Sequence, residues 1–236
     1  MIKRGQIYLV TKQNDSFRQT PMVVVSNDVG NTYAPIVLCA KMSLGLKRYK
    51  TQAQVTNNGK KSIVFCDQIE PVDKSRLISF KGELSSDDMD RVDRALETAL
   101  GLDGVATGVT TMRGRVVYVE NPGYNKTGCE QTGARPAVVV SSDYVNKAEN
   151  CECYNVVYFT TRYKTRLPTH VIIPRGTCGL PRTSLLLCEQ ISTVPKDRVT
   201  VYEDLTRVPM SAVDHALKVA LGLIEVPQPK IEKQAQ

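Results

Sequence analysis

Very little in this chain could coordinate a metal or cross a membrane. Only two histidines, His170 and His215, occur among its 236 residues, and no second cysteine pair accompanies Cys151 and Cys153. Too few ligands stand at zinc-site spacing, so neither a metal nor a cofactor is expected. No apolar run comes near the roughly 18 residues that span a bilayer. The opening "MIKRGQIYLV" enters strand-like sequence at once, without the apolar segment and small-residue cleavage site of a signal peptide. A cytoplasmic location with no membrane partner is the expectation. The seven cysteines are an odd number, and Cys66 and Cys188 fall within apolar runs. Buried free thiols fit that pattern better than a disulfide framework.

Acid is missing too, in two places. No Asp or Glu lies between Asp28 and Asp67, where Lys41, Lys47, Arg48, Lys50, Lys60 and Lys61 occur. None lies between Glu152 and Glu189, where Arg162, Lys164, Arg166, Arg175 and Arg182 occur. The net charge is +7. One such window is ordinarily a solvated basic face. Two, at matching places in a repeat, point to a groove for a polyanion, and nucleic acid is the expected partner.

The repeat itself is plain. "KRGQIYLV" (3–10) matches "MRGRVVYV" (112–119), and "FCDQIEPVDKSRL" (65–77) matches "LCEQISTVPKDRV" (187–199). "MDRVDRALETALGL" (89–102) matches "MSAVDHALKVALGL" (210–223). In that last pair Met89, Val92, Leu96 and Leu100 form the apolar stripe of an amphipathic helix, and Met210, Val213, Leu217 and Leu221 repeat it. Ser85 or Ser86 caps the first helix, Pro209 opens the second, and Gly101 and Gly222 mark their ends. His215 aligns with Arg94 on a solvated helix face. The remainder of each half is short β-rich runs broken by Gly, Asn, Asp and Pro, which predicts a small barrel closed by its helix. "NNGKKS" (57–62) ends like a phosphate loop, but position 54 lacks the glycine that motif needs. The expected organisation is a domain over residues 1–102, a linker over 103–111, a second domain over 112–223 and a disordered tail over 224–236.

The two halves differ at one place. Residues 128–143 read "GCEQTGARPAVVVSSD", with Arg135 before the strand proline; residues 17–28 read "FRQTPMVVVSND", with Thr20 there instead. Together with "YFTTRYKTRLPTHVII" and "LLLCEQI", the second string resembles the PemK/MazF toxin family, and the resemblance covers each half in turn. It implies a mainly β fold with few helices: two tandem SH3-like barrels of the PemK/MazF/CcdB type. It also implies an endoribonuclease that cuts single-stranded RNA, such as mRNA, without a metal and is held inactive by a cognate antitoxin. Family members pair two identical subunits, so one chain holding both barrels would be an intramolecular pseudo-dimer, open to further homodimerisation.

The resemblance assigns a catalytic arginine and threonine to Arg135 and Thr160, with Thr161 as the alternative if the alignment shifts by one. Their first-half counterparts are Thr20 and Ser43. Arg18 does not replace the arginine, since two positions along a strand move a group by about 6–7 Å. The chemistry suits the residue types. RNA brings its own nucleophile, the 2′-hydroxyl, so the enzyme must align it and stabilise a charged phosphorane. A guanidinium is permanently charged and forked, and is a poor proton donor. Arg135 is therefore expected to stabilise charge, Thr160 to orient the phosphate or the 2′-hydroxyl, and Glu130 to act as general base. Gly133 lets the backbone approach the substrate. Gln131, Arg162, Lys164, Arg166 and His170 in the second half, and Lys47, Arg48 and Lys50 in the first, are the expected RNA contacts. Two other functions stay open at this point: a gyrase poison of the related CcdB kind, and a binding module that holds RNA or antitoxin without cutting.

Overall fold

The structure, a computed structural model, describes residues 1–12, 15–104, 112–120, 135–162, 167–202 and 205–225. The valine-rich runs shared by the halves become strands because β-branched side chains pack well on a pleated surface. In the first half β1 (Gln6–Lys12), β2 (Asp15–Val24), β3 (Ile36–Leu44), β4 (Gln52–Asn57), β5 (Lys60–Asp73) and β6 (Leu77–Glu83) form an antiparallel sheet ordered β4-β5-β3-β2-β1-β6. In the second, β7 (Val116–Val119), β8 (Arg135–Val139), β9 (Cys153–Thr160), β10 (His170–Ile173), β11 (Ser184–Leu187) and β13 (Val199–Thr200) follow the order β10-β11-β9-β8-β7-β13, and β12 (Ser192–Pro195) also pairs with β9. Short helices α1 (Asp28–Tyr33) and α3 (Asp143–Asn146) occupy matching places. A longer helix ends each half, α2 (Ser86–Leu100) and α4 (Met210–Ala220). The chain is thus mainly β with few helices, as the sequence implies. No helix among the described residues is long and apolar enough to cross a membrane.

One rejected motif finds its place in the fold, and one feature differs from expectation. The segment "NNGKKS" is the tip of the β4–β5 hairpin: Asn57 pairs with Lys60, and Asn58 and Gly59 hold φ of 48° and 72°. Positive φ at both central residues is what a two-residue type I′ turn demands. The sheets are also not closed into barrels. Among the described residues the end strands β4 and β6 share no ladder; instead the Asn58 side chain donates from Nδ2 to the Lys81 carbonyl at 3.2 Å. The left-handed turn points a side chain at β6 where a barrel would have strand pairing.

Each long helix lays its stripe on the sheets. Val92, Leu96, Leu100, Val213, Leu217 and Leu221 are fully buried, and Met89 and Met210 pack at the margin. Ser85 caps α2, its hydroxyl oxygen accepting from the Asp88 amide at 3.2 Å. These residues belong to one apolar cluster that runs through both halves, from Ile7 and Leu38 to Val138 and Leu186.

Where the halves meet, the contacts at the helix ends come in mirrored pairs. Arg4 pairs with Asp93 on the helix of its own half, and its Nε donates to the Leu221 carbonyl at the end of the other helix, 2.7 Å away. Arg113 pairs with Asp214 at 2.6 Å and donates to the Leu100 carbonyl at 2.8 Å. The Asn27 amide donates to Ala220, and the Ser142 amide to Ala99. Cations at helix C-termini satisfy carbonyls that lack an intrahelical partner and complement the helix dipole. Gly101 and Gly222 leave room for these arginines: a Cβ would stand 2.9 Å from Arg113 Nε in one case and 3.0 Å from Arg4 Cδ in the other. Thr193 Oγ1 donates to the Ile69 carbonyl, and Asn155 Nδ2 to that of Asp67, tying the strands together. Arg4→Ala and Arg113→Ala should each lower unfolding free energy by about 2–3 kcal/mol, the scale of losing a charged hydrogen bond and stranding its carboxylate partner. Urea unfolding measures it, and a loss below about 0.5 kcal/mol in both would show that these residues hold nothing.

Candidate active site

The proline and valine run after Arg135 fixes how its side chain is presented. Ala137 pairs with Tyr158 and Val139 with Val156 across β8 and β9. Continuing that register two residues outward brings Arg135 level with Thr160. Directly opposed residues share a face with Cβ atoms about 4.5–5.5 Å apart. Arg135, Ala137 and Val139 alternate onto the face that carries Val156, Tyr158 and Thr160, whose inner members form their own buried cluster. Arg135 and Thr160 stand half-buried at its rim, while Thr161 and Arg162 are exposed. Thr161 follows the last residue of β9. The Thr160 hydroxyl oxygen accepts from the Arg162 amide at 3.2 Å, which leaves its own proton to donate outward.

Tyr158 escaped the reading of the sequence, where it looked like one more residue of a core strand. Its phenol lies inside this face beside Arg135, and burial pushes it up to about 12 against the opposing pull of Arg135 and Arg198. It is therefore a neutral, fixed wall behind the arginine at any working pH.

His170 occupies a different setting from an RNA-facing group. Its side chain is 7 % exposed, Nε2 lies 2.9 Å from Glu189 Oε1, and Nδ1 accepts from the Leu167 amide at 3.4 Å. A single neutral tautomer satisfies both bonds. The ring thus holds the end of the β9–β10 connection against Glu189. Glu189 was the other residue missed, its signal being the match of "CEQ" (188–190) to "CDQ" (66–68). Glu130, Gln131, Gly133, Lys164 and Arg166 lie outside the described residues. Among the described residues, no cluster of His, Cys, Asp and Glu is suited to hold a metal ion.

The first half repeats the frame with different chemistry. Met22 pairs with Lys41 across β2 and β3, and the same outward step brings Thr20 level with Ser43. Lys47, Arg48 and Lys50 are exposed on the connection that follows. That loop is pinned from beneath: Gln54 Oε1 accepts from the Lys47 amide at 2.9 Å, and Gln52 Oε1 from the Arg48 amide at 2.8 Å.

Comparison with known proteins meets this geometry directly. The family described as PemK-like, MazF-like toxin of type II toxin–antitoxin system matches residues 3–100 and, a second time, residues 112–221. The chain belongs to this family. Its PemK/MazF character is also evident against Endoribonuclease MazF of Staphylococcus epidermidis, which is 34% identical over 113 residues, 44% of this chain and 94% of that one. Among solved structures, an endoribonuclease in complex with its cognate antitoxin from a mycobacterial species is 26% identical with a TM-score of 0.40. The match covers 43% of this chain and 97% of that one. A MazE–MazF structure from Deinococcus radiodurans is 19% identical with a TM-score of 0.37, over 42% and 95% of the two chains. Each relative has the length of one half, and this PemK/MazF chain carries two.

Proposed function

We propose that this toxin-family chain is a sequence-selective endoribonuclease whose cutting site lies in the second half, with the first half as its built-in partner. The proposed units are residues 1–102 and 112–223, joined by 103–111 and followed by a tail over 224–236. The observation that supports the reading is the pairing of Ala137 with Tyr158 and of Met22 with Lys41, a register that, carried two residues outward, sets Arg135 against Thr160 in one half and Thr20 against Ser43 in the other. The same frame then holds a guanidinium beside a hydroxyl once only.

The 2′-oxygen of one nucleotide attacks the adjacent phosphorus, and the bond from phosphorus to the 5′-oxygen breaks. A 2′,3′-cyclic phosphate and a 5′-hydroxyl are the products. Arg135 stabilises the charge that gathers on the phosphorane oxygens. Thr160 hydrogen-bonds through its hydroxyl to a phosphate oxygen, Glu130 removes the 2′-proton, and the departing 5′-oxygen takes a proton from solvent water. These residues need no metal for any of these steps. The solved mycobacterial relative in complex with its antitoxin supports a cognate antitoxin as the protein partner here, in the cytoplasm.

The test is incubation of the purified chain with a long RNA in EDTA, followed by mapping of the ends. Cutting at a recurring short motif with 2′,3′-cyclic phosphate and 5′-hydroxyl termini is expected. Intact RNA under these conditions, or loss of activity restored only by a divalent cation, would overturn the reading.

A further inference from the structure

The first half lost the arginine but kept the hollow. An open groove of about 470 Å³ lies over Thr20 and Ser43, with Gln19, Lys41, Phe65 and Gln68 on its walls. That is the size of a small-ligand pocket, enough for about one or two nucleotides. Lys41 stands on β3 two residues before Ser43 and opposite Met22, as Tyr158 stands on β9 two residues before Thr160 and opposite Ala137. A buried phenol in one half is a half-buried ammonium in the other. The positive charge has moved one cross-strand step from the arginine's place.

The groove's other wall comes from a break in register. Ala40 pairs with Ile69 but Lys41 pairs with Phe65, so β5 bulges between them. Bulges re-aim side chains, and here Gln68 and half-buried Phe65 turn to the groove that Lys41 enters. Leu44 also lines the groove, and the exposed Lys47, Arg48 and Lys50 follow it along the chain. Its walls combine a cation for a phosphate, an aromatic face for a base and two amides for base edges.

We propose that this groove is a second RNA subsite, one that holds single-stranded RNA beyond the scissile bond and does not cut it. Lys41 takes a backbone phosphate, Phe65 stacks a base, and Gln19 and Gln68 meet base edges. Lysine is a compact point charge that grips a phosphate without the planar fork that arginine offers a phosphorane. Thr20 completes the loss of chemistry while leaving space for the strand. The basic lip matches a polyanion, which favours RNA over an apolar peptide. This inference rests on the endoribonuclease reading above.

The experiment uses the full chain and two oligoribonucleotides: one limited to the mapped cleavage motif, one with about ten further nucleotides on each side. For Lys41→Ala, KM on the long substrate should rise about tenfold with kcat within twofold, and KM on the short one should not move. Binding of the long substrate carrying a 2′-deoxy group at the scissile position should lose about 0.7 from its log–log salt slope, one phosphate contact on a single strand. Lys41→Arg should retain the contact, and Phe65→Leu should raise KM on the long substrate alone. A merely structural role would affect both substrates equally. Equal KM changes on the two RNAs, or none on either, would overturn the proposal while the endoribonuclease reading stands. So would weakened binding of an acidic peptide such as pentaglutamate with RNA binding unchanged, which would reassign the groove to a protein ligand. A wild-type chain that cuts neither RNA would instead remove the reading on which the proposal rests.

Discussion

Arg135→Ala should lower RNA cleavage by at least about a hundredfold, the scale of removing one donor aimed at transition-state charge. Affinity for an uncleavable RNA should fall far less. The asymmetry follows from when the charge appears. A phosphodiester carries one negative charge before and after cutting, but the phosphorane between them gathers more, and a forked guanidinium meets it without reorganising. On the proposed reading many dispersed cations, Lys47, Arg48 and Lys50 among them, hold the ground state, so losing one should cost little binding. Arg135→Lys keeps the charge and should recover only part of the rate, because a point charge cannot span two oxygens. Single-turnover kinetics at saturating enzyme separate the two effects. Cleavage by Arg135→Ala within about threefold of the wild type would remove this residue from the chemistry.

Residues 112–236 expressed alone should not yield a folded monomer. In the intact chain, the apolar cluster that includes Leu186, Leu217 and Leu221 continues into the first half through Leu38, Leu96 and Leu100. Cutting it exposes that face to water, at about 25 cal/mol for each Å² uncovered. It also strands polar groups. Arg113 loses the Leu100 carbonyl, the Ser142 amide loses that of Ala99, and Thr193 and Asn155 lose the carbonyls of Ile69 and Asp67. Each unpaired buried group costs about 1–3 kcal/mol, against a total stability of about 5–15. Because the helix-end contacts of Arg113 and Ser142 are mirrored by those of Arg4 and Asn27, two copies of the second half can supply one another there, as an isologous interface permits. Sedimentation should therefore show a dimer or an aggregate. The dimer would carry two arginine sites, where the full chain titrates with one uncleavable RNA at a cutting site. A folded monomer with native stability would show that the first half is dispensable.

What could be read from the sequence depended on whether its meaning was local. The helix stripes, their caps and the paired valine runs are local patterns, and the structure places all of them as helices and strands. The adjacency of Arg135 and Thr160 was legible only through the family string, since 25 residues separate them and register is set by pairing. Lys41 could not be read at all. In the sequence it is one of six cations in a basic window, and only the strand beside it and the bulge opposite give it a groove. The same holds for Arg4, whose partner carbonyl lies 217 residues away. Strand β4, "QAQVTN", has a polar look in the sequence because its glutamines are used as local hydrogen-bond posts for the 45–51 loop. In the first half the barrel expected from short strands stops short of closure where a turn asparagine, and not another strand, bridges the gap.

The mirrored arginines bear on dose. Two separately made barrels must meet before either has a partner, so the active fraction falls as copies per cell become few. In a single chain the partner's local concentration is set by the connecting segment and is independent of dilution. Toxic activity then grows in direct proportion to the number of chains, whereas assembly from free halves would begin with its square. With the first half as built-in partner, as proposed above, one newly made molecule would need no assembly step before acting.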